Sequence, residues 1–210
     1  MFNSQKNKYT VLTVLAIVFI WLFVTPTAHN APDFESYAAG SERKAAFFEH
    51  FSPLIDKRNA EIVMMRKDVI QWQDNKADLG WWDEWQLQDL ATQYRVKNFD
   101  IANDDTWQLL LNRIDVIPPS LVLAQAANES AWGTSRFAKS ANNYFGQWCY
   151  EKGCGLVPKK RDLGKVHEVA AFDSSQASLE SYMRNLNSHP AYKQLRNIRS
   201  DLKANEKAIT

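Results

Sequence analysis

Apolar residues recur every three or four positions along most of this chain, and one stretch, residues 144–172, breaks the pattern. That contrast restricts the fold to helices packed around a core, with one small sheet among them. The clearest helical stripe lies in "PLIDKRNAEIVMMRKDVIQWQ", where Ile55, Ile62, Met65, Val69 and Trp72 share a face. Pro53 predicts a fresh helix start there, separate from "SERKAAFFEHF" before it. Ser41 could cap that earlier helix, whose apolar side is Ala45, Phe47, Phe48 and Phe51. A third helix is predicted from Trp82 or Asp83 to Val96, and a fourth over 104–115, capped by Asp104 or Asp105. The next starts at Pro119, which suits a first turn, and stops at Gly133. Thr134 is placed to cap a short helix to about Ser140. Beyond the break, "SQASLESYMRNLN" carries Leu179, Tyr182, Met183 and Leu186 on one stripe, and Pro190 opens a last helix.

Within the break, "CGLVPKKRDLGKVHEVAAF" holds two short alternating runs around a Lys/Arg/Asp/Gly turn. This predicts a β-hairpin with Val166, Glu168 and Ala170 on one face and His167, Val169 and Ala171 on the other. The expected class is α+β, mainly α. Residues 25–40 lack periodicity and read as a linker.

The N-terminus bears on location. Lys6 and Lys8 precede the uncharged run "VLTVLAIVFIWLFV", residues 11–24. A basic start and such a run fit a secretory signal or a short membrane anchor. The run is shorter than the ~20 residues of an ordinary spanning helix. The cleavage site is weak, with Pro26 two positions before Ala28 and His29 before Ala31. Either way the rest of the chain is expected outside the cytoplasm, in the periplasm or cell envelope, held to the inner membrane if residues 11–24 stay attached. In that compartment Cys149 and Cys154 of "CYEKGC" read as a disulfide closing a small loop, with two free thiols as the alternative. The pair offers too few ligands for a metal site, so no metal or cofactor is expected. Lys+Arg 25 against Asp+Glu 24 leaves a net charge of +1, without the basic surplus of an electrostatic nucleic-acid binder.

One acid stands out. Glu129, in "AQAANESAWG", lies in the last turn of its helix among alanines and beside Trp132. The negative helix end and apolar neighbours would raise its pKa, as a general acid for glycosidic oxygen requires. By itself such a glutamate reads first as an ordinary surface residue. Its context is "NNYFGQWCY", where amides and aromatic planes suit sugars, which have polar edges and apolar faces. Asn142, Asn143, Tyr144, Phe145, Trp148 and Tyr150 are candidates for that contact, with core packing the alternative for Tyr144 and Phe145.

The ordered motifs resemble a known family. "VLAQAANESAWGTSRFAKSANNYFGQW", the hairpin and "NSHPAY" resemble the peptidoglycan glucosaminidases, the family of the flagellar FlgJ catalytic domain. "RIDVIPP", "CGLVP" and "HEVAAF" point to its Bax-like branch. The resemblance covers about residues 105–199. Beside the signal peptide or anchor read over 1–31, it implies an N-terminal helical region over 32–104 and a lysozyme-like catalytic domain over 105–210. It further implies an endo-β-N-acetylglucosaminidase that hydrolyses β-1,4 bonds after N-acetylglucosamine in peptidoglycan glycan strands, with Glu129 as general acid. Relatives use a hairpin acid to activate water, for which Glu168 is the candidate and Glu151 and Asp162 the reserves. The alternative for Glu168 is a strand glutamate paired with Lys159 or Lys160. A substrate-assisted route needs a tyrosine to orient the sugar, Tyr182 or Tyr192. Trp132 completes the expected substrate-binding set. Bax-like chains run on through a tyrosine-rich segment that this sequence does not contain, so a fragment or a shortened C-terminal side is expected. A lytic transglycosylase and a non-catalytic peptidoglycan-binding envelope module are the alternative functions.

Overall fold

The computed structural model describes residues 31–159, 161, 164 and 166–207. The apolar run at 11–24, the reserve acid Asp162 and the possible partner Lys160 lie outside the described residues. Among the described residues, no helix is long and apolar enough to cross a membrane.

Seven α-helices and a three-stranded antiparallel sheet make up the described fold, which is α+β and mainly helical. Helix α1, Ser41–Asp74, runs 34 residues without interruption, with Pro53 inside it. The expected break at Pro53 does not occur. An interior proline costs roughly 3 kcal/mol. Phe47, Phe51, Leu54 and Ile55 are buried on both sides of it, and each large apolar side chain contributes about 1.5–3 kcal/mol when buried. Burial along the unbroken stripe wins over the one lost donor. No side chain caps α1; Gly40 precedes it and Ser41 is its first residue.

Helices α2, Trp81–Gln93, and α3, Asp104–Arg113, follow, the latter capped by Asn103, whose Oδ1 accepts from Asp105 N at 2.9 Å. Helix α4 spans Pro119–Ser130 and packs along α1. Helix α5, Arg136–Ala141, is capped by Ser135 rather than Thr134. Helix α6 spans Ser175–Ser188; a 3-10 turn at Pro190–Tyr192 then leads into α7, Lys193–Ala204.

The sheet has order β1-β3-β2, with β1 Trp148–Cys149, β2 Gly155–Leu156 and β3 Glu168–Ala170. The expected hairpin is β2–β3, with Leu156 opposite Val169. The strand β1 was not expected; Trp148 pairs with Val169 on the other edge of β3. Glu168, Val169 and Ala170 are therefore all buried, in place of two alternating faces.

Residues 31–40 are no linker. Asp33 caps a 3-10 turn at Phe34–Ser36, and Phe34 is 1% exposed in the core. One hydrophobic cluster runs from Phe34, Phe47 and Phe51 through Trp107 and Val122 to Tyr144, Leu179 and Leu186. The region before residue 105 thus shares its core with the region after it. At the far end, Arg199 of α7 donates to the carbonyls of Asn112, Asp115 and Val116 and to Asn187 Oδ1, pinning α7 across the α3–α4 junction.

Candidate active site

Helix α4 ends in an unusual turn. Ala131, Trp132 and Gly133 all have left-handed backbones, with φ of 51°, 58° and 80°. Buried Ser130 stitches the turn: its hydroxyl donates to Ala126 O at 2.5 Å and accepts from Gly133 N at 2.8 Å. Trp132 N closes back on Ala127 O at 2.9 Å, a helix-terminating bond that satisfies an orphan carbonyl. Consecutive left-handed non-glycine residues are strained, and such strain concentrates where a side chain must be held in place. The side chain presented here is Glu129.

Glu129 is exposed. This corrects the expectation of an acid desolvated by its sequence neighbours. Ala126 and Ala127 are buried in the core, whereas the adjacent Asn128 and Glu129 are exposed. Trp132 turns the other way, edge-on to Phe47 and Phe48 of α1 at 5.6 and 5.5 Å, with Lys44 over its ring. The carboxylate lies instead against Gly146. A methyl built on that glycine would come 3.0 Å from Glu129 Oε2. Any side chain at 146 would crowd the acid, and the φ of 61° there also favours glycine.

Gly146 is part of the wall of a cleft of about 530 Å³. Phe145, Trp148, Tyr150, Tyr182 and Tyr192 supply its aromatic lining. Phe145 and Tyr182 stack with centroids 4.3 Å apart and planes 9° from parallel. Trp148 is half exposed and meets His167 edge-on at 4.5 Å. Gln147 is fixed by a bond from its Nε2 to Ser178 O (3.0 Å) and one accepted by its Oε1 from Ser181 Oγ (2.9 Å). Among the described residues lining the cleft there is no Asp or Glu. Glu129 stands at its margin through Gly146, close enough for its charge to act on Tyr182.

The structure thus gathers Glu129, Phe145, Trp148, Tyr150, Tyr182 and Tyr192 at one cleft. It does not bring the other candidates there. Asn143 is buried and fully engaged: Nδ2 donates to Gln147 O and Ala170 O, and Oδ1 accepts from Phe145 N and Gln147 N. It shapes the loop that carries the cleft aromatics. Tyr144 packs into the core against Phe51 at 4.9 Å and Phe34 at 6.4 Å. Glu168 sits at the disulfide loop. Its carboxylate accepts from Gly153 N at 3.1 Å and Gly155 N at 2.9 Å, and these bonds hold its pKa below the usual carboxylate range. Cys149 and Cys154 form the expected disulfide. The reserve acid Glu151 is exposed and does not line the cleft.

Sequence reasoning missed Gln93, Arg95, Gln147, Ser181, Asn185 and His189, all of which line the cleft. Ser181, Asn185 and Ser188 recur at helical spacing beside Tyr182, a polar stripe that could have marked the cleft side of α6. Gln93 and Arg95 reach the cleft only through tertiary packing.

Burial pushes two phenols up to about 12, Tyr144 by desolvation alone and Tyr182 by desolvation followed by the charges of Tyr192 and Glu129. Tyr182 therefore stays a neutral hydroxyl donor throughout the ordinary pH range. Because both folded values lie above the unfolded value of 10.0, the unfolded chain loses these protons first as pH rises. Their stabilising contribution is complete below pH 10 and is lost between pH 10 and 12. Urea unfolding at pH 9 and pH 11 is expected to show a lower midpoint at pH 11, and a smaller drop in Tyr144→Phe.

Residues 104–209 match the Glucosaminidase family, described as mannosyl-glycoprotein endo-beta-N-acetylglucosaminidase. The chain is 37% identical over 184 residues to Protein bax of Escherichia coli (strain K12). That alignment covers 86% of this chain and 64% of the relative, so the chain spans less than two thirds of the relative's length. No solved structure matches. The family match holds the turn that presents Glu129, the cleft aromatics and the sheet, and the chain is a Bax-like member of the glucosaminidase family.

Proposed function

We propose that this protein is a peptidoglycan hydrolase that cleaves the β-1,4 bond after N-acetylglucosamine, with Glu129 as the proton donor. The observation that carries this reading is the carboxylate of Glu129 held against Gly146 at the margin of an aromatic-walled cleft. A sugar ring bound in the cleft beside Gly146 would cover the exposed acid. Glu129 then protonates the glycosidic oxygen as the bond breaks.

With no second carboxylate among the described cleft residues, the substrate's own N-acetyl oxygen is the favoured nucleophile at the anomeric carbon. Tyr182, neutral and half a stack with Phe145, is placed to orient that acetamido group, with Tyr192 beside it. Water opens the resulting bicyclic intermediate. Glu168 enters this reading as the clasp of the disulfide loop, since two backbone N–H groups occupy its carboxylate. Glu168→Gln is expected to retain hydrolysis within a few-fold while lowering thermal stability. A loss as deep as that of Glu129→Gln would restore Glu168 as the water activator.

The lone acid also suits a lytic transglycosylase, in which a hydroxyl of the muramic acid attacks in place of water. Digestion of purified peptidoglycan separates the two: reducing N-acetylglucosamine ends support the proposal, anhydro-muramic ends the alternative. Residues 11–24 would deliver the protein to the envelope, as a cleaved signal or an anchor.

A further inference from the structure

Three tryptophans stand in solvent at the start of α2. Trp81, Trp82 and Trp85 are 78%, 53% and 57% exposed. Trp82 and Trp85 stack with centroids 5.0 Å apart and planes 17° from parallel, and Trp81 meets Trp82 edge-on at 5.6 Å. The helix does not need them for packing, because Leu87, Leu90 and Ala91 bury its other face. A contiguous exposed aromatic cluster of this kind marks a binding surface.

Helical geometry joins this cluster to the cleft. At ~100° per residue, Gln93 lies within about 20° of Trp82 around the helix and ~16 Å along it. Asp89 falls between them and accepts from Gln93 Nε2 at 2.7 Å. Trp82, Trp85, Asp89 and Gln93 therefore form one exposed stripe, and its far end, Gln93, lines the cleft together with Arg95.

We propose that this stripe is a second glycan-binding surface, along which a peptidoglycan strand continues out of the cleft; this rests on the reading of the cleft as a glycan site. Parallel indole planes offer apolar platforms to the C–H faces of pyranose rings. Asp89 and Gln93 offer hydrogen bonds to hydroxyl and acetamido groups. Continuity with the cleft favours this occupant, and the charge of the patch disfavours a lipid surface. Asp83 and Glu84 in the first turn and Asp89 beyond make it acidic, which repels anionic headgroups, whereas membrane-docked aromatics are normally accompanied by Lys and Arg. The stripe raises affinity for long strands through added contacts remote from the reacting bond. It lies before residues 104–209, outside the stretch that matches the family.

The test uses the full chain carrying Glu129→Gln, so that the ligand stays intact. Co-sedimentation with purified peptidoglycan sacculi is compared with and without Trp82→Ala/Trp85→Ala. Binding is expected to weaken about tenfold or more, as for loss of aromatic anchors, and Trp82→Tyr/Trp85→Tyr is expected to keep most of it. In the otherwise native chain, the alanine pair is expected to lower kcat/KM on sacculi and leave turnover of a short soluble peptidoglycan fragment unchanged. Vesicles of phosphatidylethanolamine and phosphatidylglycerol are expected not to bind. Undiminished binding to sacculi, or tryptophan-dependent binding to the vesicles, overturns the proposal. Cleavage persisting in Glu129→Gln would instead strike at the catalytic assignment, a separate failure.

Discussion

Replacing Glu129 by glutamine is expected to lower cleavage of purified peptidoglycan by about 10²–10⁴-fold, the usual contribution of a general acid. The amide keeps the size and polarity of the side chain but has no acidic proton to give. Because Glu129 is exposed at the end of α4, the substitution removes no core contact, and the unfolding midpoint should stay where it is. Binding to sacculi should survive as well, since the aromatic walls of the cleft are untouched. This combination of lost turnover, kept fold and kept binding distinguishes a proton donor from a structural glutamate. A non-catalytic binding module predicts no digestion by either form, and retained cleavage in the variant would remove Glu129 from the mechanism.

The second large effect is structural. Gly133→Ala is expected to destabilise the protein by about 3 kcal/mol or more, through backbone strain and overpacking together. Its φ is 80°, and an added Cβ would lie 2.1 Å from Phe34 Cδ2 and 2.8 Å from Cε2. Phe34 cannot step aside easily, being 1% exposed and packed against Phe47 at 5.2 Å. The turn that presents Glu129 is thus locked to the N-terminal segment by a contact only glycine permits. Chemical denaturation reads the effect, and Phe34→Leu in the same chain should recover part of the loss. A change under about 1 kcal/mol would mean that Phe34 is far more mobile than its packing indicates.

Most helices could be read from the sequence because their apolar stripes are long and regular. Pro53 misled because a local rule was weighed without the flanking buried side chains, which outweigh one missing hydrogen bond. Strand β1 is two residues long and carries no readable alternation; its pairing with β3 is visible only once the sheet is assembled. The environment of Glu129 was not legible. Helical phase sends Ala126 and Ala127 into the core, and the left-handed turn sends Trp132 to α1, so the alanines and tryptophan beside the acid in sequence do not enclose it. The role of Asn143 and Glu168 depends on backbone groups brought in by neighbouring loops, which side-chain patterns do not announce. Phe145, Trp148, Tyr182 and Tyr192 line one cleft, while Gln93 and Arg95 arrive from the end of a helix, and the turn after it, that precede the family motifs.

The most direct test of the central claim is digestion of purified peptidoglycan by the full chain in water enriched in oxygen-18, with the products resolved by mass spectrometry. Glucosaminidase action predicts new reducing ends at N-acetylglucosamine, each carrying one solvent-derived oxygen, and none in the Glu129→Gln digest. Anhydro-muramic ends without the label, or no new ends at all, would contradict the account.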